Sequence, residues 1–158
     1  MFHGTVLVSP LIRADPLIGN PVNKLLAKVF ALVYPDFESF QSADVSLVTS
    51  DPQWVNIRES DPLSYHGGFL TGQSHAVNLA IEDLNKGMKN MMTPFLIMIS
   101  EKDRLTDPKA SFKFFKSASS LDKQLLEFNS GLHNFFIEKK QIREKAIAKT
   151  LEWIYARV

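Results

Sequence analysis

The hydrophobic pattern is clearest in the carboxyl-terminal third of the chain. Five consecutive apolar residues, Phe95 to Ile99, end in a polar stretch, a pattern typical of a strand buried on both faces of a parallel sheet. Asp107 and Pro108 then predict the start of a helix, as the N-cap and the first helical residue. A second apolar run, Gln124 to Phe128, follows that helix and predicts another strand. The pattern indicates a βαβ unit.

Two residues suited to catalysis follow the predicted strands. Asp103 lies in the loop after the first strand, where open α/β sheets place ligands and catalytic groups. His133 follows the second strand, after the turn Asn129-Ser-Gly131. A right-handed crossover makes the strands parallel neighbours, so both side chains are expected at one sheet edge. A carboxylate that orients a histidine is part of an acyl-transfer triad, whereas the structural alternatives are a turn or cap aspartate and a surface histidine.

The remaining pattern predicts one further strand and three further helices. Between them, residues 37–56 are expected to form a loop and a short helix, and Tyr65 to Gly68 a flexible joint. The strand is Thr5 to Val8, and the helices are Pro21 to Val33, Thr71 to Asn90, and about Gln141 to Ala156. The broad apolar face of the helix that starts at Pro21 has two interpretations, which are core packing and a functional surface that contacts an apolar ligand or a membrane.

Composition narrows the function classes. The chain has 158 residues, of which 45% are apolar, enough for one core of ordinary domain size. Its 18 basic and 17 acidic residues give a net charge of +1, which argues against a nucleic-acid partner. There is no cysteine, and His3, His66 and His75 form no metal-binding pattern, so we expect no metal and no other cofactor. Without a secretory signal or a bilayer-length apolar run, we expect a cytoplasmic location.

Several segments resemble a monoacylglycerol lipase, a serine hydrolase of the S33 aminopeptidase type within the α/β-hydrolase superfamily. Ser60-Asp-Pro-Leu63 with Tyr65-His66-Gly67 resembles part of that family's lid, and Gly4 to Leu11 resembles the strand after its nucleophile helix. Three further segments resemble the carboxyl-terminal part of that family's members. They are Pro94-Phe-Leu-Ile-Met-Ile-Ser-Glu-Lys-Asp103-Arg-Leu-Thr-Asp107, Asp122-Lys123 and Ser130-Gly-Leu-His133.

The resemblance implies an α/β class with a partial α/β-hydrolase fold, which lacks the amino-terminal strands and the nucleophile elbow. It implies a single partial domain over residues 1–158, with a lid over 11–84 and a carboxyl-terminal part over 94–158. It also implies a lipid ester substrate and peripheral membrane contact through the lid. The site residues that it implies are catalytic Asp103 and His133, with Leu105, Phe30 and Tyr65 binding substrate.

The chain departs from the family at the nucleophile. Family members carry the serine in a Gly-x-Ser-x-Gly elbow, and none of the seven glycines here completes one. The segment around Ser74, Gly72-Gln-Ser74-His-Ala76, lacks the second glycine. Ser9, after the first strand, is a weak substitute, because a strand-end hydroxyl is expected to bond the backbone. The sequence therefore predicts an acid and a base without a nucleophile.

Three hypotheses remain open for the chain. In the favoured hypothesis, the chain is one part of a longer, full-length lipase, because the first predicted strand begins with no sheet partner before it. The second is a short product without catalysis that binds lipid or a partner, in which a homodimer or a partner chain covers the open sheet edge. The third is a related hydrolase, such as a lysophospholipase or a small-peptide aminopeptidase, since acid and histidine are shared across the superfamily.

Overall fold

The computed structural model describes residues 3–16, 19–42 and 44–158, and only the backbone of residues 39–42. The described chain contains a parallel sheet, a small antiparallel ribbon and helices around them. The strands are β1 (Thr5–Val8), β2 (Glu38–Ser42), β3 (Gly68–Leu70), β4 (Phe95–Ser100) and β5 (Lys123–Phe128). The α-helices are α1 (Pro21–Val33), α2 (Pro52–Ser60), α3 (Thr71–Gly87), α4 (Pro108–Ser117) and α5 (Lys140–Tyr155). Short 3₁₀ helices span Val45–Leu47, Met88–Asn90 and Phe135–Ile137.

The parallel sheet has the strand order β1-β4-β5. In its register Val8 pairs with Met98, and Ser100 pairs with Phe128. Every residue of the central strand β4 is buried, which agrees with the apolar run Phe95 to Ile99 that makes up most of it. The predicted strands and their parallel arrangement are therefore confirmed.

Alternate residues of β4 enter two different cores, because successive side chains of a strand point to opposite faces. One face packs against α4 and the other against α5. The first core contains Ile12, Met88, Phe95, Ile97, Ile99, Ala110, Phe114 and Ala118. The second contains Leu96, Met98, Phe128, Phe135, Ala146 and Trp153.

Helix α4 begins where the sequence predicts it. The Asp107 side chain accepts a hydrogen bond of 2.8 Å from the Lys109 amide, and Pro108 is the first helical residue. Asp107 also pairs with the guanidinium of Arg13. A further contact was not predicted, an isolated antiparallel bridge between Ala14 and Thr106. These contacts join the segment after β1 to the loop after β4.

The residues between β1 and β4 form a layer of helices and a two-stranded ribbon. Helix α1 packs on α3 and has no fully buried residue within the described chain. Strand β2 replaces part of the loop predicted for residues 37–56, whose short helix corresponds to Val45–Leu47 and the start of α2, and β3 begins at Gly68, the last residue of the predicted joint. The ribbon depends on a side chain, since Glu38 accepts hydrogen bonds from the Gly68 amide and from the Tyr65 hydroxyl.

Both edge strands of the parallel sheet, β1 and β5, are unpaired on their outer sides within the described residues. Strand β1 pairs with β4 on one side, and none of residues 3–16, 19–42 and 44–158 pairs with it as a strand on the other side. None of the helices in these ranges is long and apolar enough to cross a bilayer.

Candidate active site

The carboxylate of Asp103 and the imidazole of His133 are in direct contact. Nδ1 of His133 lies 3.0 Å from Oδ2 of Asp103, although 30 positions separate the residues in the chain. Asp103 follows β4 and His133 follows β5, and these strands are parallel neighbours. The two residues therefore emerge at one edge of the sheet, as the topology of the βαβ unit requires.

Asp103 is buried, and both of its carboxylate oxygens accept hydrogen bonds. Oδ1 accepts from the backbone amides of Leu105 at 2.8 Å and Thr106 at 3.0 Å. Oδ2 accepts from the Thr106 hydroxyl at 2.7 Å, in addition to facing His133. Burial by itself raises the pKa of Asp103, but the hydrogen bonds from His133, Thr106 and Leu105 outweigh it, and the pKa lies below the ordinary value. The carboxylate is therefore ionised near neutral pH.

The ionised carboxylate decides the tautomer of His133. Because a carboxylate only accepts hydrogen bonds, Nδ1 of His133 carries the hydrogen and donates it to Asp103. In the neutral imidazole, Nε2 then holds the free lone pair. Nε2 makes no hydrogen bond to any residue that the structure describes, and 28% of the side chain is exposed. That nitrogen is available to take a proton from a group placed beside it.

The loop that carries His133 is held at both ends. Gly131 has a φ of +92°, a left-handed conformation that favours glycine. Its carbonyl accepts a 2.8 Å hydrogen bond from the buried hydroxyl of Ser100, the last residue of β4. On the other side of His133, the Asn134 amide donates to the Val48 carbonyl at 2.9 Å. These bonds connect the histidine loop to the acid-bearing strand and to the helical layer.

Glu138 is a fully buried carboxylate beside the same loop. Oε1 accepts from the amides of Leu132 at 2.7 Å and Ser50 at 3.0 Å. Oε2 accepts from the Ser50 hydroxyl at 2.6 Å and the Lys139 amide at 3.2 Å. Burial alone raises the pKa of Glu138, but the bonds from Ser50, Leu132 and Lys139 outweigh it and keep the pKa below the ordinary value. Glu138 is therefore a second ionised buried acid close to His133.

The other predicted site residues have different surroundings. Leu105 is half-buried and next to the acid, since its amide bonds Asp103. Tyr65 is exposed, and its hydroxyl donates to Glu38 at 3.0 Å and to the Gly68 carbonyl at 3.1 Å. Phe30 is an exposed residue of α1. The structure thus joins Leu105 to the acid-histidine pair, while the contacts of Tyr65 are made within the helical layer.

Neither serine that approaches an elbow pattern contacts His133. Ser74 lies in the first turn of α3. Ser9 is the one non-glycine residue with a positive φ, 43°, in the part of the chain that the structure describes. Its hydroxyl is buried without a hydrogen-bond partner among those residues, so the expectation that it bonds the backbone is wrong. A buried hydroxyl that makes no bond to His133 is not an activated nucleophile.

No metal site is found in the described ranges 3–16, 19–42 and 44–158, where no group of three or more His, Asp or Glu side chains is placed to hold an ion.

The acid-histidine pair is supported by three residues that were not predicted from the sequence, which are Ser100, Thr106 and Glu138. Thr106 had a local signal, because an aspartate often accepts from residues two and three positions later. Ser100 and Glu138 had none, since their partners come from distant positions.

Comparison with known proteins identifies the family. Residues 1–140 match the Hydrolase_4 family model, described as serine aminopeptidase, S33. The chain belongs to this hydrolase family. Monoglyceride lipase from Rattus norvegicus is 27% identical over 157 residues, covering 99% of this chain and 52% of the rat protein. Monoglyceride lipase from Homo sapiens is 28% identical over 156 residues, covering 99% of this chain and 51% of the human protein.

Solved structures of two relatives share the fold. Monoacylglycerol lipase from Paleococcus ferrophilus superposes with a TM-score of 0.89 at 23% identity, covering 99% of this chain and 60% of that one. A soluble variant of monoglyceride lipase from Saccharomyces cerevisiae, in complex with a substrate analog, gives 0.85 at 24% identity, with coverages of 99% and 56%. The prediction of a partial α/β-hydrolase fold is therefore confirmed. The chain spans about half the length of the curated relatives it matches.

Proposed function

We propose that this chain is the lid and acid-histidine half of a serine ester hydrolase that releases a fatty acid and glycerol from a monoacylglycerol. One observation carries the proposal. Nδ1 of His133 lies 3.0 Å from an Asp103 carboxylate whose other hydrogen-bonding positions are already occupied. That arrangement fixes one imidazole tautomer and leaves Nε2 free, which is the state that a general base requires.

The proposed reaction uses a serine that lies outside these 158 residues. His133 Nε2 accepts the proton of that serine as its oxygen attacks the ester carbonyl. The protonated imidazole, stabilised by ionised Asp103, then delivers the proton to the glycerol oxygen as the acyl-enzyme forms. Water hydrolyses the acyl-enzyme in a second step with the same base. Neither step draws on a metal or an organic cofactor.

The preference for an acyl substrate rests on the residues around the pair. Leu105 is an apolar residue immediately before Thr106. The amide and the hydroxyl of Thr106 both donate hydrogen bonds to Asp103. Helix α1 carries exposed apolar residues that include Leu25 and Phe30. We assign residues 11–84 as a lid and residues 94–158 as the part that carries acid and histidine. In this assignment, Phe30 and Tyr65 belong to the substrate-facing side of the lid.

The same exposed surface of α1 supports a peripheral contact with membranes. Leu25, Leu32 and Val33 are each more than half exposed, and continuous apolar surface of this kind marks an interaction site. We propose a cytoplasmic protein whose lid approaches a lipid surface, so that a monoacylglycerol passes to the acid-histidine pair.

A second candidate function is a non-catalytic interaction module, and the open edge of β1 favours it. An unpaired strand edge readily pairs with another chain. Under this candidate, a second copy or a partner strand covers β1. Under the proposed lipase, further strands of the same fold cover it. The mass of one chain of the native gene product, measured by mass spectrometry, separates the two, because the lipase account requires further strands in the same chain and the module account requires none.

The test of the proposed activity is a substrate panel on the full-length gene product. Monoacylglycerols, lysophospholipids and aminoacyl anilides are compared by product release. We expect the highest kcat/KM for a monoacylglycerol, and Asp103→Asn should lower turnover by about 10⁴-fold. Asp83→Asn is the matched control, because Asp83 is an exposed aspartate of α3 paired with Lys86. Preference for an aminoacyl substrate, or an unchanged rate in Asp103→Asn, would overturn the proposal.

A further inference from the structure

Glu138 is not a member of the acid-histidine pair, so the burial of its charge needs a separate explanation. It is a carboxylate with no exposed surface, and no salt bridge joins it to a basic side chain within the ranges that the structure describes. Burying a charge costs free energy unless the group is paired or fully hydrogen-bonded. The four hydrogen bonds from Ser50, Leu132 and Lys139 supply that compensation. These four bonds fix Glu138 and its three partners relative to one another.

The bonds of Glu138 connect two segments that are far apart in the chain. Ser50 is 88 positions from Glu138 and belongs to the assigned lid, whereas Leu132 is the residue immediately before His133. A single oxygen, Oε1, accepts from both the Ser50 amide and the Leu132 amide. The carboxylate therefore joins the lid segment to the backbone of the histidine loop.

Two neighbouring contacts strengthen the same junction. The Thr49 hydroxyl donates to the Ile137 carbonyl at 2.8 Å, and the Asn134 amide donates to the Val48 carbonyl at 2.9 Å. Residues 48–50 thus contact the chain at three positions after His133, and Glu138 extends the junction to Leu132, the residue before it.

We propose that Glu138 is a positioning residue for His133, and that it transmits the position of lid residues 48–50 to the histidine loop. The proposal rests on the function assigned above to Asp103 and His133. Glu138 does not touch the reacting atoms. It fixes the Leu132 amide, and through that peptide it fixes the direction from which the imidazole meets Asp103. Loss of this bond lets Nδ1 move away from the acid, and small displacements of a catalytic group reduce turnover strongly.

The test uses Glu138→Gln in the full-length gene product, because glutamine keeps the size of the side chain and removes its charge. Its amide nitrogen donates rather than accepts, so it cannot replace all four bonds. Its carbonyl oxygen can still accept from the Leu132 amide, but that bond loses its charged acceptor, so we expect hydrogen exchange at the Leu132 amide to accelerate about tenfold. The nuclear magnetic resonance signal of the His133 Nδ1 proton should broaden or disappear, and kcat should fall about a hundredfold while KM changes little.

Two further variants keep the test decisive. Ser50→Ala removes the bond from the Ser50 hydroxyl to Oε2 and leaves the bonds from the Ser50 and Leu132 amides to Oε1, so it also serves if Glu138→Gln does not fold. We expect a smaller loss of kcat from it, with little further loss when it is added to Glu138→Gln. Glu144→Gln is the matched control, because Glu144 is an exposed glutamate of α5, the helix that follows Glu138 in the chain. It should leave the Nδ1 signal, the Leu132 exchange and kcat unchanged.

The outcomes distinguish this inference from the proposed function. A folded Glu138→Gln protein with wild-type Leu132 exchange and an intact Nδ1 signal would overturn the positioning role, even if Asp103→Asn abolishes hydrolysis. Faster exchange with loss of the Nδ1 signal supports that role, even if the wild-type protein hydrolyses no ester. In that case the ester hydrolysis proposed for Asp103 and His133 is wrong, and the positioning role of Glu138 is still supported.

Discussion

His133 Nδ1 and Asp103 Oδ2 lie 3.0 Å apart at the carboxyl ends of two adjacent parallel strands. The contact follows from the topology, because a right-handed βαβ unit brings both loops to one edge. It also follows from the local chemistry, because Thr106 and Leu105 occupy the acceptor positions of Asp103 that do not face the imidazole.

The first prediction concerns residues 1–158 without any further sequence. These residues contain no Gly-x-Ser-x-Gly elbow, and loss of the nucleophile from such a triad costs on the order of a million-fold in turnover. We expect no ester hydrolysis above background, measured with a chromogenic short-chain ester. Turnover that disappears in His133→Ala would contradict this expectation and would indicate a substitute nucleophile.

The second prediction concerns stability at acidic pH. Asp103 and Glu138 have folded-state pKa values below their ordinary values of 3.8 and 4.5. The unfolded chain therefore binds more protons in acid. The stabilisation from these groups is complete above the ordinary values and is lost as the pH falls through them toward the folded pKa values. We expect the free energy of unfolding of the full-length protein, measured by urea titration, to fall steeply below pH 4.5.

Glu138→Gln tests the origin of that slope. Removing the titrating group should make the decline below pH 4.5 shallower than in the wild type. Glu144→Gln, on the exposed side of α5, should keep the wild-type slope. An unchanged slope in Glu138→Gln would show that Glu138 does not contribute to the acid sensitivity.

The third prediction contrasts two glycines. Gly131 has a φ of +92°, and a Cβ atom there would lie 3.3 Å from the Ile142 side chain. Gly131→Ala should cost about 1–3 kcal/mol in the free energy of unfolding and lower turnover through the histidine loop. Gly87→Ala is the control, because no atom lies within 4 Å of a Cβ there. It should be neutral or stabilise α3 by about 0.5–1 kcal/mol. Equal effects of the two substitutions would argue against a constrained histidine loop.

The fourth prediction concerns the apolar surface of α1. Leu25→Glu places a charge on a side chain that is 62% exposed, so it should leave the fold intact and weaken contact with lipid. We expect less protein to sediment with anionic phospholipid vesicles. Leu121→Glu is the matched control, since Leu121 is a fully exposed leucine outside the lid. Equal binding by wild type and Leu25→Glu would count against membrane contact through this helix.

Much of the sheet region was predictable from sequence, because its signals are local. The apolar run of β4 and the Asp107-Pro108 start of α4 both specify their structure within a few residues. The ribbon was not predictable in this way. Strand β3 spans three residues, and its partner β2 is tied to it by the Glu38 side chain. A short strand stabilised by one distant side chain leaves no periodic pattern.

The same difference between local and long-range signals applies to the residues of the candidate site. Asp103 and His133 were identified because each follows a recognisable strand. The role of Glu138 was hidden, since Ser50 approaches it from 88 positions away. The exposure of α1 was also undetermined, because an amphipathic pattern does not reveal whether its apolar face meets a core or a ligand.

The most direct test of the central claim is glycerol release from a monoacylglycerol by the full-length gene product and its His133→Ala variant. Circular dichroism and the free energy of unfolding establish that both proteins are folded. The account predicts hydrolysis by the wild type and a loss on the order of a million-fold in the variant. Hydrolysis by folded His133→Ala at a rate near that of the wild type would contradict it.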